Sequence, residues 1–194
     1  MSRRCGRGCL LCVSVVFICA MALSIAEGQP ASTSCGKAKV KMSNPVYLIA
    51  PGVIGAVEPP PGWILDTKRK NPFFFLRPGD QYESARTLMY VNVERLDDSL
   101  QSAVQRDEHT FSEHCQPSRI EEPRQAEILE EGCEKVTQMF ICERKEKAYV
   151  DLDTKISIHG LLLNVVLSSD SVEEISRYKK DYEHLLKHLS LVAP

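Results

Sequence analysis

The sequence predicts an α+β fold: a central antiparallel β-sheet with helices on both faces, an α/β/α sandwich. Three observations predict it. Strand signals follow one another in runs joined by short turns, which argues for hairpins rather than repeated βαβ units. Only two stretches, one from Leu100 and one from Ile175, repeat their apolar residues at helical spacing. One strand, Leu161–Ser168 (LLLNVVLS), is almost continuously apolar, the pattern of a strand covered on both sides.

The chain opens with an export signal. Arg3, Arg4 and Arg7 precede an apolar run from Leu10 to Ala26, closed by the small-residue patterns Ala20-Met21-Ala22 or Ser24-Ile25-Ala26. Residues 1–26 therefore read as a cleaved signal peptide. The run also reaches the lower limit for a bilayer span, so an uncleaved anchor is the alternative. Cys19 follows Val16-Phe17-Ile18 and lacks the small neighbour a lipoprotein cysteine needs. Residues 27–45 are small and polar without periodicity, a flexible leader. Residues 46–194 then form a single domain. Within it, 46–62 is apolar but broken by Pro and Gly, which suits a short strand or a packed extended segment and excludes a helix.

Phe73–Leu76 is a short strand stopped by Pro78-Gly79, and Leu88–Leu96 alternates as a strand. Asp98 reads as the N-cap of a helix with Gln101 at its third position. Leu100, Ala103, Val104 and Phe111 share its inner face as far as His114, and Pro117 stops it. Ala126–Glu130 and Cys133–Glu143 read as a hairpin around Glu131-Gly132, followed by a charged turn, Arg144–Lys147, and a strand, Ala148–Lys155. After Leu161–Ser168, Asp170 or Ser171 caps a last helix that runs to about Leu191. Its inner stripe is Ile175, Tyr178, Tyr182, Leu185, Leu186 and Leu189.

This layout resembles the PsbP-like family, whose fold is shared with the Ran-binding Mog proteins. The resemblance covers about residues 60–192. It rests on Pro61-Gly62-Trp63, on the strand–helix step from Tyr90 to His114, and on the end of the chain. There the apolar strand Leu161–Ser168 passes through a Ser-Ser-Asp turn into the helix ending Tyr182-Glu183-His184-Leu185-Leu186-Lys187-His188-Leu189. It implies the α/β/α sandwich and a mostly non-catalytic binding or accessory role, in proteins that are often exported or membrane-attached. No ligand residue of the family matches a position here.

The chain has 194 residues, 43% hydrophobic and 26% charged, which excludes disorder and a polytopic membrane protein. Removing the leader takes away three arginines and no acids, so the net charge moves from −2 to −5, which gives no broad basic surface for nucleic acid. Four of the eight cysteines leave with the leader. Cys35, Cys115, Cys133 and Cys142 stay in an oxidising compartment, where three pairings are open. If Cys133–Cys142 runs back along Ala126–Glu130, Cys142 ends near the segment after Cys115. That favours Cys115–Cys142, with Cα atoms within about 7 Å.

Chemistry-bearing motifs are sparse. His109 and Glu113-His114 miss the zinc-protease spacing by one residue, which sets the two imidazoles about 140° apart on a helix. His184 and His188 are better placed. An i, i+4 pair on the face opposite the Tyr–Leu stripe can hold Zn²⁺ or Cu²⁺, yet the sequence shows no third or fourth ligand. Ser34–Lys37 and Ser176–Lys179 match S-x-x-K without its companion elements, and no G-x-S-x-G occurs. Cys115 beside His114 reads as half a disulfide rather than a reactive thiol. Trp63 reads as a core anchor, and Lys68-Arg69-Lys70 as a solvated turn.

The resulting expectation is an exported, non-catalytic binding or accessory protein of the cell envelope, secreted or periplasmic. It uses no cofactor, takes a protein partner and no nucleic acid, and meets the membrane only if its N-terminal segment stays uncleaved. A small extracytoplasmic hydrolase or thiol enzyme is the second reading, and a metal carrier through His184 and His188 the third.

Overall fold

The computed structural model describes residues 32–33, 42–50, 53–69, 71–121, 127–128, 133–144 and 148–192. The expected signal peptide, residues 1–26, lies outside the described residues. Among the described residues, twelve strands and two helices follow in the order β1 (Ser32–Thr33), β2 (Val46–Ala50), β3 (Val53–Val57), β4 (Ile64–Leu65), β5 (Phe73–Leu76), β6 (Thr87–Arg95), α1 (Leu100–His114), β7 (Ser118–Glu121), β8 (Glu127–Ile128), β9 (Glu134–Cys142), β10 (Tyr149–Ile158), β11 (Leu161–Ser169), α2 (Val172–Lys187) and β12 (Leu189–Val192).

The large sheet runs β4-β5-β6-β11-β10-β9-β7, with β8 also on β9, and every pairing in it is antiparallel. The predicted fold class is therefore the observed one. The β10–β11 hairpin is its centre. His159 and Gly160 both have positive φ (48° and 76°), the backbone of a two-residue turn whose twist matches that of the strands it joins. Register then fixes which side chains share a face. Thr154 lies opposite Val165 and Thr137, whereas Lys155 lies opposite Asn164 and Val136.

Helix α2 covers the apolar face. Ser171 is its N-cap, the side chain accepting from Glu174 N, and Ile175, Tyr182 and Leu185 are buried against Met89, Val91, Leu152, Val165 and Leu167. The Tyr182 hydroxyl, buried at the centre, donates to the Val165 carbonyl (2.8 Å) and shares a bond with Thr154 Oγ1 (2.6 Å). Trp63 is 4% exposed, edge-on to Tyr178, with its indole N–H donating to Asp181 (2.9 Å). It is the core anchor expected of it.

Helix α1 covers the other face more thinly, burying Leu100, Ala103 and Val104, while Phe111 is half-buried against Phe140 and Tyr149. Its N-cap is Ser99 rather than the expected Asp98. The Ser99 hydroxyl accepts from Ser102 N (3.1 Å), and Asp98 instead pairs with Arg106 (3.3 Å). Both residues are good caps, and the one whose oxygen reaches the third helical N–H holds the position.

A second sheet is the main departure. Its order is β1-β12-β3-β2. The last helix stops at Lys187, not near Leu191, because Leu189–Val192 turns into a strand on β3, Leu189 opposite Val57. The segment 46–62 supplies two of this sheet's strands. Ser32–Thr33, in the span read as leader, pairs with β12; residues 34–41 lie outside the described ones. Among the described residues no helix is long and apolar enough to cross a membrane.

Candidate functional site

The two faces of the large sheet differ in chemistry. On the α1 side, successive outward residues of β10 are Tyr149, Asp151, Asp153 and Lys155. Their neighbours by register are Gln138 and Phe140 on β9, Asn164 and Ser168 on β11, and Tyr90 on β6. Lys155 is 2% exposed and is bonded to Asp153 of its own strand and to Asp107 of α1 (2.7 Å). Burial alone would lower the lysine's pKa, but the two carboxylates outweigh it and hold the ammonium above its ordinary value. Glu108 of α1 accepts from Gln138. The helix is thus pinned to the sheet by buried polar bonds where apolar contact is scarce.

Beyond the end of this network α1 leaves the sheet uncovered. A cleft of about 700 Å³ opens there, lined by Phe74, Tyr82, Tyr90, Tyr149, Leu88, Ser168 and Asp151, with Arg86 and Asp170 paired at the rim (2.7 Å). Phe74 meets Tyr82 edge-on (ring centroids 4.6 Å) and Tyr90 at a tilt (5.6 Å). Asp151 lies among these rings. Among the described residues its Oδ1, sealed from solvent, has no hydrogen-bond partner, and the carboxyl joins no ion pair. Desolvation pushes its carboxyl up to about 6, with Asp153 adding to the rise and Ser168 and Lys155 opposing it. A carboxylate so placed accepts a donor, above all a cationic one.

Sequence reasoning singles out none of these residues. The signal available is the alternation Asp151, Asp153, Lys155 against Val150, Leu152, Ile156, which marks a polar strand face but reads as a solvated one.

The residues that the sequence does single out fall elsewhere. Cys115 and Cys142 are joined, Cα atoms 5.7 Å apart, where β7 begins its pairing on β9 with Ser118 opposite Cys142. Cys133 is fully buried and bonded to no other described cysteine, and Cys35 lies outside the described residues. His109 is exposed and faces Glu113 (3.3 Å), while His114 Nδ1 bonds the Thr110 carbonyl (2.7 Å); the two share no site. Ser176 and Lys179 are exposed on α2, and Ser34–Lys37 lies outside the described residues. Arg69 stacks over Tyr82 (3.9 Å) and pairs with Glu83 (2.6 Å), so the basic triplet is partly neutralised.

His184 and His188 are not on a solvated face, as the helical wheel suggested. Both are half-buried, because β3 and β12 fold back beside them. Their rings stack at 4.0 Å, and Glu58, just past β3, joins them, with one ligand atom from each residue lying within 4.8 Å of the others. Burial and the neighbouring His188 hold His184 below its ordinary pKa. Glu58 carries no sequence signal; only the pairing of β3 with β12 brings it there.

No family model matches the chain, and no curated protein matches it. Among solved structures it is similar to the cyanobacterial PsbP (CyanoP) of Synechocystis sp. PCC 6803, at 15% identity and a TM-score of 0.51 over 81% of this chain and 96% of that one. It is similar to LpqN, involved in cell envelope biogenesis of Mycobacterium tuberculosis, at 12% identity and a TM-score of 0.53 over 77% of this chain and 90% of that one. The Ran-binding protein Mog1p of Saccharomyces cerevisiae aligns at 12% identity and a TM-score of 0.47, over 77% of this chain and 95% of that one. At such identities the likeness is one of architecture, and that architecture is the one the sequence resembled: the chain has the PsbP-like fold.

Proposed function

We propose that this chain is a non-catalytic binding protein of the extracytoplasmic space, exported through its N-terminal segment, and that its α1-side cleft holds a cationic side chain of a partner protein. The observation that carries the reading is Asp151, a carboxylate with an unpartnered oxygen among the rings of Tyr90, Tyr149, Phe74 and Tyr82. A guanidinium or ammonium supplies the missing donor, and the rings add attraction worth about 0.5–2 kcal/mol for a desolvated cation. The acidic balance expected of the chain without its leader favours a basic partner surface. Likeness in fold to LpqN, involved in cell envelope biogenesis, supports the envelope setting.

The chemistry of the cleft weighs against the enzyme readings. Ser169 is taken up by Thr87 (2.8 Å) and the Arg86 carbonyl, and Ser168 has the Asp151 carboxyl as its hydrogen-bonding neighbour, with no histidine among the described residues lining the cleft. A carboxylate beside a serine, without the histidine that usually takes the hydroxyl proton, is an incomplete nucleophile–base pair, and the proposed cation would occupy that carboxylate. Cys115 and Cys142 are bonded to each other, and Cys133 has no exposed surface.

The test is photo-crosslinking in cells that export the protein, with a benzophenone amino acid in place of Tyr149 in the cleft or of Ser176 on the outer face of α2. The expected result is a discrete light-dependent adduct from position 149 only, abolished by Asp151→Asn. Equal labelling from both positions, or an adduct indifferent to Asp151→Asn, overturns the proposal.

A further inference from the structure

The structure assigns a second site, independent of the cleft: Glu58, His184 and His188 form a three-ligand seat for a divalent transition-metal ion of the Zn²⁺ and Cu²⁺ class. Two imidazoles and one carboxylate are a ligand set such ions favour, and three protein ligands leave a fourth position for water or an exchangeable group.

Each ligand is held by the fold. His184 stands in the last turn of α2 and His188 is its C-cap, so the helical rise sets one imidazole a turn above the other. The chain then enters β12, whose first residue pairs with Val57, and Glu58 N donates to the His188 carbonyl (3.2 Å). Those bonds fix Glu58 against the end of the helix. Its Oε2 accepts from Ser43 N (3.1 Å), which orients the carboxylate and leaves Oε1 for a metal.

The imidazoles are set up as ligands too. His188 Nδ1 lies 2.9 Å from the His184 carbonyl. A carbonyl only accepts, so the proton sits on Nδ1 and the lone pair is on Nε2, the arrangement that second-sphere carbonyls impose on metal-binding histidines. Among the described residues, His184 Nε2 is buried with no hydrogen-bond partner, although an imidazole nitrogen away from water ordinarily has one. A bound ion answers that orphaned atom. The seat also opens on a groove of about 460 Å³ lined by Pro59, Pro60, Pro61 and Trp63 as well as Glu58 and His184, so the fourth position is reachable from solvent.

Calorimetric titration with ZnCl₂ and CuCl₂ tests the assignment. The full chain is used, with accessible thiols alkylated so that sulfur does not compete, and Co²⁺ reports geometry through its visible bands. One ion per chain is expected at micromolar or tighter affinity, with a tetrahedral Co²⁺ spectrum. His184→Ala and Glu58→Gln should each weaken binding by at least about tenfold. His109→Ala/His114→Ala should leave it unchanged, and an unaltered circular dichroism melt certifies that each variant folds. No heat above background at micromolar metal overturns the assignment, as does binding that survives both site variants or is lost with His109 and His114.

Discussion

The two faces of the large sheet are held to their helices by different forces. On the α2 side an apolar layer of Met89, Val91, Leu152, Val165 and Leu167 meets Ile175, Tyr182 and Leu185, and the contact is spread over many small dispersion terms. On the α1 side the helix buries only Leu100, Ala103 and Val104, and three point restraints do the rest: Lys155 with Asp107 and Asp153, Glu108 with Gln138, and the Cys115–Cys142 bond. A face held at points leaves area free between them, and the cleft is that area. The packed side stabilises the molecule, and the pinned side is where the proposed binding cleft opens.

The largest effect expected of any single change falls on a pin. Lys155→Met removes the cation between two carboxylates. Asp107 can turn outward to water, but Asp153 is 6% exposed and cannot. A buried charge left without its partner costs about 4 kcal/mol. Urea unfolding should show that loss, and Asp153→Leu/Lys155→Met should recover most of it. A single-variant cost below about 1 kcal/mol would mean that this face is wet and that the contrast between faces is wrong.

Opening the disulfide comes next. The two cysteines stand 27 positions apart in sequence, so Cys115→Ser/Cys142→Ser relaxes the unfolded chain by about 3.5 kcal/mol. The loss should appear in the same denaturation experiment. Non-reducing peptide mapping should recover Cys115 and Cys142 in one cross-linked fragment, and recovery of either joined to another cysteine would sink the pairing.

On the packed side the corresponding probe is Leu185→Ala, where a fully buried side chain leaves a cavity and costs about 3 kcal/mol. The readout that sharpens the comparison is amide exchange. Leu185→Ala should raise exchange along α2 and leave α1 unaffected, whereas Lys155→Met should do the reverse.

What can be read from the chain divides along the same line. The stripe Ile175, Tyr182, Leu185 is legible because packing against one apolar face writes itself into local periodicity. The β10–β11–β6 core is legible for the same reason, and Cys115–Cys142 follows from reading one hairpin. Asp151, Asp153 and Lys155 are visible only as a polar strand face. That α1 covers part of it, and leaves Asp151 among aromatic rings, depends on contacts between elements far apart in sequence. β12 is hidden by continuity, since no Gly or Pro separates Lys187 from Leu189-Ser190-Leu191-Val192 and the helical repeat runs on past the true end. Without β12, nothing brings Glu58 to the two histidines.

The smallest of these effects bears most directly on function. The Asp151 carboxyl titrates near 6 in the folded chain, against an ordinary 3.8. A raised carboxyl pKa means that the folded state binds the proton more tightly than the unfolded state does. That stability is present in full below about pH 4 and is lost as pH rises through about 6. The distance between those two values sets an upper figure of about 3 kcal/mol, and partial access to water reduces it to about 2 kcal/mol. Asp151→Asn cannot ionise, so it should match the wild type near pH 4 and exceed it in stability above pH 6, as read from urea midpoints across that range. Parallel curves for the two proteins would show that Asp151 is ordinarily solvated and that the cleft has no unmet demand for a cation. If the curves diverge as expected, the chain holds at neutral pH a charge that weakens its own fold, and the proposed cationic partner would relieve it.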